Sequence, residues 1–134
     1  MNRQIFINLA TKNLSEARKF FGGLGFQFNA KFSNEDDGCC VIIAENISVM
    51  LLSENHFKNF TDKSICDSKT SAESLLCITC ESREEVDSLI SKAKSLGAKV
   101  SREPQDNNFM YGHGFEDLDG HTWELLFMEQ SVNQ

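Results

Sequence analysis

The sequence predicts an α+β protein built from two βαβββ modules, which together form a curved, barrel-like mixed sheet with helices outside. Three observations favour this fold class. A strand, a helix and three further strands are indicated twice, a polar segment separates the two series, and neither half alone has enough residues to bury a core. We therefore expect a single domain over residues 1–134, with module one at about 1–60, a linker at about 56–72 and module two at about 73–134.

The first module begins with RQIFINLA, whose alternating pattern is typical of a half-buried strand. A helix is expected to follow Asn13, because Asn13 can cap the free amides of a first turn and Glu16 has the spacing of a capping box. Glycines at 22, 23 and 25 end this helix. Three strands are then expected, with the sequences FQFNAKF, CCVIIAE and ISVMLLS.

The second module repeats this order. A strand is expected over Glu73–Glu81, and Ser82 is expected to cap a helix that ends at Gly97. Three strands complete the module, with the sequences AKVSRE, FMYGHGFE and HTWELLFM. The linker between the modules is rich in Ser, Thr, Lys and Asp, and its first part, His56–Phe60, is expected to form a helical turn.

Composition limits the classes of function. The chain has 20 acidic and 13 basic residues and a formal charge of −7, whereas nucleic-acid binding needs a basic patch. No run approaches the ~20 apolar residues that span a bilayer, and no targeting segment is visible, so we expect a cytoplasmic location. Five cysteines without a secretion signal indicate free thiols. Cys77 and Cys80 have C-x-x-C spacing, but side chains three apart on a strand point to opposite faces, so no zinc or redox site is predicted there.

Glu124 is the candidate functional residue, because it is a lone carboxylate in the apolar strand HTWELLFM. The turn DLDG is typical of a three-residue hairpin loop, which places Gly114 opposite Glu124 and Gly112 opposite Leu126. Glycines within a strand often mark the close approach of a ligand. We therefore predict that Glu124 is substantially buried on a concave face and faces a cavity floored by glycines. The alternative is that Glu124 forms an ion pair or hydrogen bond within the sheet.

The opposite face of this hairpin is predicted to pack under the helices, since aromatic side chains bury the most area there. His113 falls on this face, where we expect a packed, hydrogen-bonded histidine rather than a metal ligand. With His121 at the turn and His56 in the linker, no preformed site of histidines with Glu124 is predicted. The predicted aromatic face comprises Phe109, Tyr111, Phe115, Trp123, Leu125 and Phe127.

The doubled strand-helix-three-strand order resembles the vicinal oxygen chelate superfamily, which includes glyoxalase I, bleomycin-resistance proteins and extradiol dioxygenases. Three stretches, which extend over essentially the whole chain, support the resemblance: FINLATKNLSEARKFFGGLGF, SREEVDSLISKAKSLGAKV and MYGHGFEDLDGHTWELLFM. The last stretch is similar to the group described as predicted lactoylglutathione lyases. The resemblance implies the glyoxalase/bleomycin resistance fold.

In metal-dependent members, the resemblance implies a cavity in which side chains from both halves bind one divalent metal. Glu124 matches the last-strand glutamate ligand, whereas Phe6, Leu75 and Met50 stand at or near the other three ligand positions. A single carboxylate does not hold a metal that takes several protein ligands, so we expect no metal cofactor. The alternative is a lactoylglutathione lyase-like or dioxygenase-type enzyme that retains a divalent metal and uses Glu124 as its catalytic residue.

The sequence therefore resembles the metal-free branch, in which the cavity binds a small molecule through apolar walls and a few polar groups. Asn8 either hydrogen-bonds this ligand or bonds neighbouring backbone. A homodimer is expected, because members of the superfamily commonly build cavities between paired modules and edge strands need covering. Neither nucleic acid nor a membrane is expected as a partner. The predicted lining of the ligand cavity is Phe6, Asn8, Met50, Leu75, Cys77, Thr79, Gly112, Gly114 and Glu124.

Overall fold

A computed structural model describes residues Met1–Glu129 of the chain. These residues divide into two compact units, Met1–Cys66 and the part from Asp67 onward. Each unit contains a four-stranded mixed sheet in the order strand, helix, strand, strand, strand, which confirms the predicted α+β class with two βαβββ modules. Within the described part of the chain, no helix is long and apolar enough to cross a membrane.

The first unit has the strand order β1-β4-β3-β2, in which β1 and β4 are parallel and the other pairs are antiparallel. Its strands are β1 (Ile5–Thr11), β2 (Gln27–Phe28), β3 (Gly38–Ala44) and β4 (Ile47–Ser53), and its helices are α1 (Leu14–Gly23) and α2 (Glu54–Phe57). A 3₁₀ helix over Lys58–Phe60 extends α2, which agrees with the helical turn expected near His56.

The prediction of one strand over FQFNAKF is wrong in its second half. Gln27–Phe28 pairs with β3, but Ala30–Phe32 forms a 3₁₀ helix. The Asn29 side chain accepts a hydrogen bond from the backbone N–H of Lys31 at 3.0 Å. Asparagine side chains compete with sheet hydrogen bonds in this way, and here the local turn replaces the end of the strand.

The second unit repeats the arrangement, with the strand order β5-β8-β7-β6 and a parallel pair formed by β5 and β8. Its strands are β5 (Leu75–Thr79), β6 (Gln105–Asp106), β7 (Met110–Glu116) and β8 (Thr122–Met128), and its helix is α3 (Arg83–Ser95). The strand predicted over Glu73–Glu81 is therefore present in its central part.

The prediction of a strand over AKVSRE is wrong. This segment makes a single bridge to β7, between Lys99 and Glu116, and regular pairing resumes only at Gln105. Between these points the ring Nε2 of His113 donates a hydrogen bond to the Arg102 carbonyl at 2.8 Å. Since that carbonyl is bonded by a side chain rather than by the backbone of β7, the segment forms a loop along the edge of the sheet. His113 is hydrogen-bonded, as predicted.

Both long helices begin at the predicted caps. The Oδ1 atom of Asn13 accepts a hydrogen bond from the backbone N–H of Glu16 at 3.1 Å, and Oγ of Ser82 accepts one from that of Glu85 at 3.0 Å. These contacts satisfy amides that a helix leaves free at its start. The buried residues of the two helices are Leu14, Ala17, Phe20 and Phe21 in α1, and Val86, Ile90 and Ala93 in α3.

Strands β7 and β8 form a hairpin with the predicted register. Gly114 pairs with Glu124 and Gly112 with Leu126. The backbone N–H of Asp117 donates to the carbonyl of His121 at 2.9 Å, and Gly120 adopts a positive φ of 93°, as the predicted turn type requires. A glycine in the left-handed region thus closes the turn and holds the register of the strands.

The aromatic face of this hairpin is largely as predicted. Phe115 and Trp123 are 4% and 1% exposed, and their rings stack with centroids 6.4 Å apart. Phe109 is the exception, because it precedes β7 and is 47% exposed. Asn108, which has a positive φ of 71°, turns the chain immediately before it. The assignment of Phe109 to the packed face is therefore wrong.

Candidate functional site

Glu124 lies in the middle of β8, between two partners on the same face of the sheet. Gly114 of β7 is its antiparallel partner, and Cys77 of β5 is its parallel partner. A Cβ atom built at Gly114 would lie 2.8 Å from Oε2 and 3.0 Å from Cδ of Glu124. The carboxylate therefore extends over Gly114, and the missing side chain at that position provides its space.

Glu124 is mostly but not fully buried, in agreement with the predicted burial. Among residues 1–129, Glu124 has no hydrogen-bonding or ion-pairing side-chain partner. The internal pairing considered as the alternative is thus not observed among the described residues.

A cleft of about 640 Å³ opens over this face of the second sheet. Leu75 and Cys77 of β5 line one edge, and the segment from 99 to 107, which includes β6, lines the opposite edge. Ligand pockets typically measure ~300–1,000 Å³, so the cleft has the size of a small-molecule site. The floor between the two edges consists of Gly112, Gly114, Glu116, Thr122, Glu124 and Leu126.

The predicted cavity residues divide between the two units. In the second unit, Thr79 lies on the same face of β5 as Leu75 and Cys77, which line the cleft. In the first unit, Asn8 of β1 pairs with Met50 of β4. That Thr79, Asn8 and Met50 contribute to ligand binding stays a prediction.

Phe6 lies on the same face of β1 as Asn8, two residues earlier. It is 39% exposed, and its ring meets that of Phe32 edge-on, with centroids 5.7 Å apart. Asn8 is exposed and Met50 is half-buried. This face of the first sheet therefore presents an apolar surface with one amide, and its part in a ligand cavity also stays a prediction.

The charged side chains of the cleft fall into two groups that differ in solvent exposure. Glu116 and Glu124, on neighbouring strands of the floor, are half-buried, whereas Lys99, Arg102 and Glu103 on the loop are exposed. The inner charge is therefore negative, and both signs occur at the rim. Sequence reasoning missed Glu116, although its period-two spacing from the two glycines places it on their face. The loop residues were not predictable, because their segment reads as a strand.

The Cys77 thiol is the sulfur group adjacent to Glu124. Burial raises the pKa of this thiol above its usual value, and the negative charge of Glu124 raises the pKa further. Cys77 is thus protonated at neutral pH, and a protonated thiol is a poor metal ligand and a poor nucleophile. All five cysteines are free, as predicted.

The residues that the family resemblance assigns as metal ligands together with Glu124 do not fit a divalent metal. At those positions Phe6, Met50 and Leu75 offer no oxygen, nitrogen or sulfur ligand suited to a hard or borderline metal. Within residues 1–129, three potential metal-ligating side chains converge only in the β7–β8 turn, and that group does not include Glu124. Among the described residues, Glu124 therefore belongs to no group of three converging metal-ligating side chains.

The converging group consists of Asp117, Asp119 and His121, and its central carboxylate closes the hairpin turn. Asp117 is 6% exposed, and its Oδ1 accepts hydrogen bonds from the backbone N–H groups of Asp119 and His121, both at 3.0 Å. Its Oδ2 accepts a hydrogen bond from Nε1 of Trp123 at 3.0 Å. Burial raises the pKa of Asp117. These contacts assign the carboxylate a structural role.

The family sequence model of the Glyoxalase/Bleomycin resistance protein/Dioxygenase superfamily matches residues 3–125 of the chain. The chain belongs to this superfamily, in agreement with its paired βαβββ units and with the family resemblance of the sequence. None of the curated proteins matches the chain significantly.

Several solved structures share the fold. A hypothetical protein from S. aureus is 30% identical, with a TM-score of 0.80 over 95% of this chain and 94% of that chain. A glyoxalase-related enzyme from Fulvimarina pelagi is 18% identical, with a TM-score of 0.79 over 95% and 88% of the two chains. The genomically encoded fosfomycin resistance protein FosX from Listeria monocytogenes is 20% identical, with a TM-score of 0.68 over 95% and 91%. The likeness to the latter two shows the fold alone.

Proposed function

We propose that this protein binds a small organic molecule in the cleft of the second unit and does so without a metal at Glu124. The observation that supports the proposal is the carboxylate of Glu124 laid over Gly114, in a cleft of about 640 Å³. Leu75 and Leu126 provide apolar surface in the same cleft. Apolar walls with a few polar groups are the usual design of a small-ligand site.

A substitution at Gly112 tests the proposal, because this glycine lies on the floor of the cleft. A Cβ atom there would contact Leu125 O and Leu126 Cδ1 at 3.5 Å, which is ordinary van der Waals distance. Gly112→Leu should therefore fold while its side chain fills the cleft. Gly22→Leu is the matched control, since a Cβ atom at this exposed glycine of α1 would also find its nearest neighbour, Phe28, at 3.5 Å.

The measurement is amide chemical-shift perturbation by a library of small molecules. Some compounds should shift the amides of Gly112 and Gly114. Gly112→Leu should weaken the binding of these compounds at least about tenfold, a loss of ~1.4 kcal/mol, and Gly22→Leu should leave it unchanged. A library that shifts no amide of the cleft, or compounds that bind the Gly112→Leu variant equally well, would contradict the proposal.

The alternative is a lactoylglutathione lyase-like or dioxygenase-type enzyme with a divalent metal at Glu124. The similarity of MYGHGFEDLDGHTWELLFM to lyase-like sequences favours it. The donor set opposes it, because metal-assisted isomerisation needs an ion held by several ligands to polarise the substrate oxygens. We therefore propose binding rather than metal-dependent catalysis.

We also propose a homodimer. β1 and β5 are edge strands of their sheets, and each carries an exposed apolar side chain, Ile5 at 53% and Leu75 at 64%. Edge strands of this kind are usually covered by another element or another chain. Multi-angle light scattering should give twice the mass of the chain, and a monomer at high concentration would contradict the proposal.

A cytoplasmic location is proposed on the basis of the cysteines. All five are free, and disulfides are rare in reducing compartments. Fractionation of cells that express the protein at natural levels should recover it in the cytoplasmic fraction, and recovery outside that fraction would contradict the proposal.

A further inference from the structure

We propose that the ligand of the cleft is an organic cation, a molecule with a protonated amine attached to an apolar body. This inference rests on the proposed function and specifies the chemical class of the ligand. It follows from the sign and position of the inner charges, from the apolar surface beside them and from the exposure of the basic groups in the cleft.

The inner charges of the cleft are the carboxylates of Glu116 and Glu124. Both are half-buried, and in the part of the chain that the structure describes neither side chain has a hydrogen-bonding or ion-pairing partner. Lys99 is the bridge partner of Glu116 but makes no ion pair with it, and Glu124 lies between Gly114 and Cys77, neither of which is basic. A partly desolvated carboxylate without an ion-pair partner is unfavourable. A cationic ligand would supply that counter-charge, whereas an anionic ligand would add a third negative charge.

The register of the hairpin places the two carboxylates diagonally. Glu124 pairs with Gly114 and Glu116 pairs with Thr122, so the two glutamates lie on adjacent strands of one face, two positions apart. Diagonal positions of this kind are ~7–8 Å apart, a gap that an ammonium group with several N–H donors can bridge. Among the described residues, these carboxylates belong to no group of three convergent metal-ligating side chains, so the geometry favours an organic cation over a metal ion.

Apolar surface lies next to these charges. Leu75 lines the cleft and is 64% exposed, and Met110 and Leu126 also line it and are half-buried. Covering such surface removes apolar area from water, which favours binding of a ligand with an aliphatic or aromatic body. Cys77, which is held in its neutral form, adds no charge of its own to this wall.

Basic groups also line the cleft, and their position decides against an anionic ligand. Lys99 and Arg102 lie on the exposed loop at the rim, where solvent and salt screen their charge, and Glu103 follows them directly. The carboxylates lie deeper, where screening is weaker. The formal charge of −7 for the whole chain also favours the approach of cations.

Three probes with one apolar body test the inference: 4-phenylbutylamine, 4-phenylbutanol and 4-phenylbutyrate. Dissociation constants are measured by amide chemical-shift titration of the full chain at constant ionic strength. The amine should bind at least about tenfold more tightly than the alcohol, and the carboxylate more weakly than either, as expected for a desolvated charge pair. The largest chemical-shift changes should occur at the amides of Gly112, Gly114 and Glu124.

Charge-neutral variants identify the groups responsible. Glu124→Gln and Glu116→Gln should each weaken amine binding about fivefold to tenfold, as expected for the loss of one charge-assisted contact, and should leave alcohol binding unchanged. Lys92→Gln removes an exposed charge on α3 outside the cleft, so it is the matched control and should not change amine binding. Thermal unfolding of each variant verifies that the chain is folded.

The outcomes separate this inference from the proposed function. If the alcohol or the carboxylate binds in the cleft as tightly as the amine, or if both glutamine variants bind the amine normally, the cationic class is wrong while small-molecule binding stands. If none of the three probes shifts a residue of the cleft, the inference is also overturned. The proposed function itself fails if the wider library also shifts no amide of the cleft, or if Gly112→Leu does not weaken the binding of the compounds that do.

Discussion

Gly114 and Glu124 are direct partners across the β7–β8 hairpin, and the Glu124 carboxylate occupies the space that a side chain at position 114 would need. A Cβ atom at Gly114 would lie 2.8 Å from Oε2 of Glu124 and 2.9 Å from the carbonyl oxygen of Trp123. Cβ atoms do not approach a backbone oxygen that closely without a shift of the chain. The position of the carboxylate in the cleft therefore depends on the glycine.

Gly114→Ala is expected to lower the free energy of unfolding by ~1–3 kcal/mol, the usual cost of an overpacked site. Gly112→Ala is the matched control on the same strand. Its Cβ atom would find its nearest neighbours at 3.5 Å, and relief of glycine entropy should leave the free energy of unfolding unchanged or raise it by up to ~1 kcal/mol. Urea denaturation measures both variants, and equal effects would show that the close contact at Gly114 is not present.

Glu124→Gln is expected to lower the pKa of the Cys77 thiol. Burial is the larger cause of the raised pKa and the charge of Glu124 the second, so removal of that charge lowers the pKa only in part. Because the thiolate is the reactive form, the rise in alkylation rate with pH should move to lower pH in the variant. Iodoacetamide labelling, followed by mass spectrometry of the peptide that contains Cys77, measures this profile.

Glu116→Gln is the control for that experiment, since Glu116 lies diagonally from Glu124 and beyond the direct partner of Cys77. Its effect on the labelling profile should be smaller. A profile that is unchanged in Glu124→Gln, or that moves more in Glu116→Gln, would contradict the pairing of Cys77 with Glu124 on one face.

Gly120→Ala should destabilise the protein more than Gly25→Ala. Both glycines have positive φ, 93° and 102°, so both substitutions carry a backbone penalty of ~1 kcal/mol or more. A Cβ atom at Gly25 would meet nothing within 4 Å, whereas one at Gly120 would lie 2.7 Å from the backbone nitrogen of Lys69. The difference in free energy of unfolding between the two variants therefore measures the contact of the hairpin turn with the segment around Lys69.

The free energy of unfolding of these two variants is measured in urea, and hydrogen exchange of the Thr70 amide reports the segment directly. This amide donates to the Asp67 carbonyl at 3.1 Å, so its protection should fall in Gly120→Ala and persist in Gly25→Ala. Equal losses of stability, with protection retained in both variants, would show that backbone strain at positive φ alone accounts for the effect of Gly120→Ala.

Negligible lactoylglutathione lyase activity is expected, with or without added zinc or nickel. Phe6, Met50 and Leu75 hold no metal at the positions that the family resemblance assigns to ligands, so the substrate oxygens would lack their electrophile. Dialysis against a chelator should also leave the free energy of unfolding unchanged. The assay follows isomerisation of the hemithioacetal of methylglyoxal and glutathione. Metal-stimulated turnover that Glu124→Gln abolishes would establish the enzyme alternative.

Local signals determined much of the fold. The caps at Asn13 and Ser82, the turn at Gly120 and the period-two alternation of the strands each depend on residues close together in sequence. For the same reason the pairing of Gly114 with Glu124 was predictable, because a hairpin turn sets the register of the strands that it joins. The sequence by itself therefore determined the two βαβββ units, the family and the position of the candidate carboxylate.

Contacts between residues distant in sequence decided the rest. His113 donates a hydrogen bond to the Arg102 carbonyl where a strand was predicted, and no local pattern of AKVSRE indicates this contact. The half-buried state of Glu124 and the inner position of Glu116 likewise depend on how open the cleft is. Only the tertiary structure decided these features, because burial and side-chain partners are set by packing and not by the periodicity of a strand.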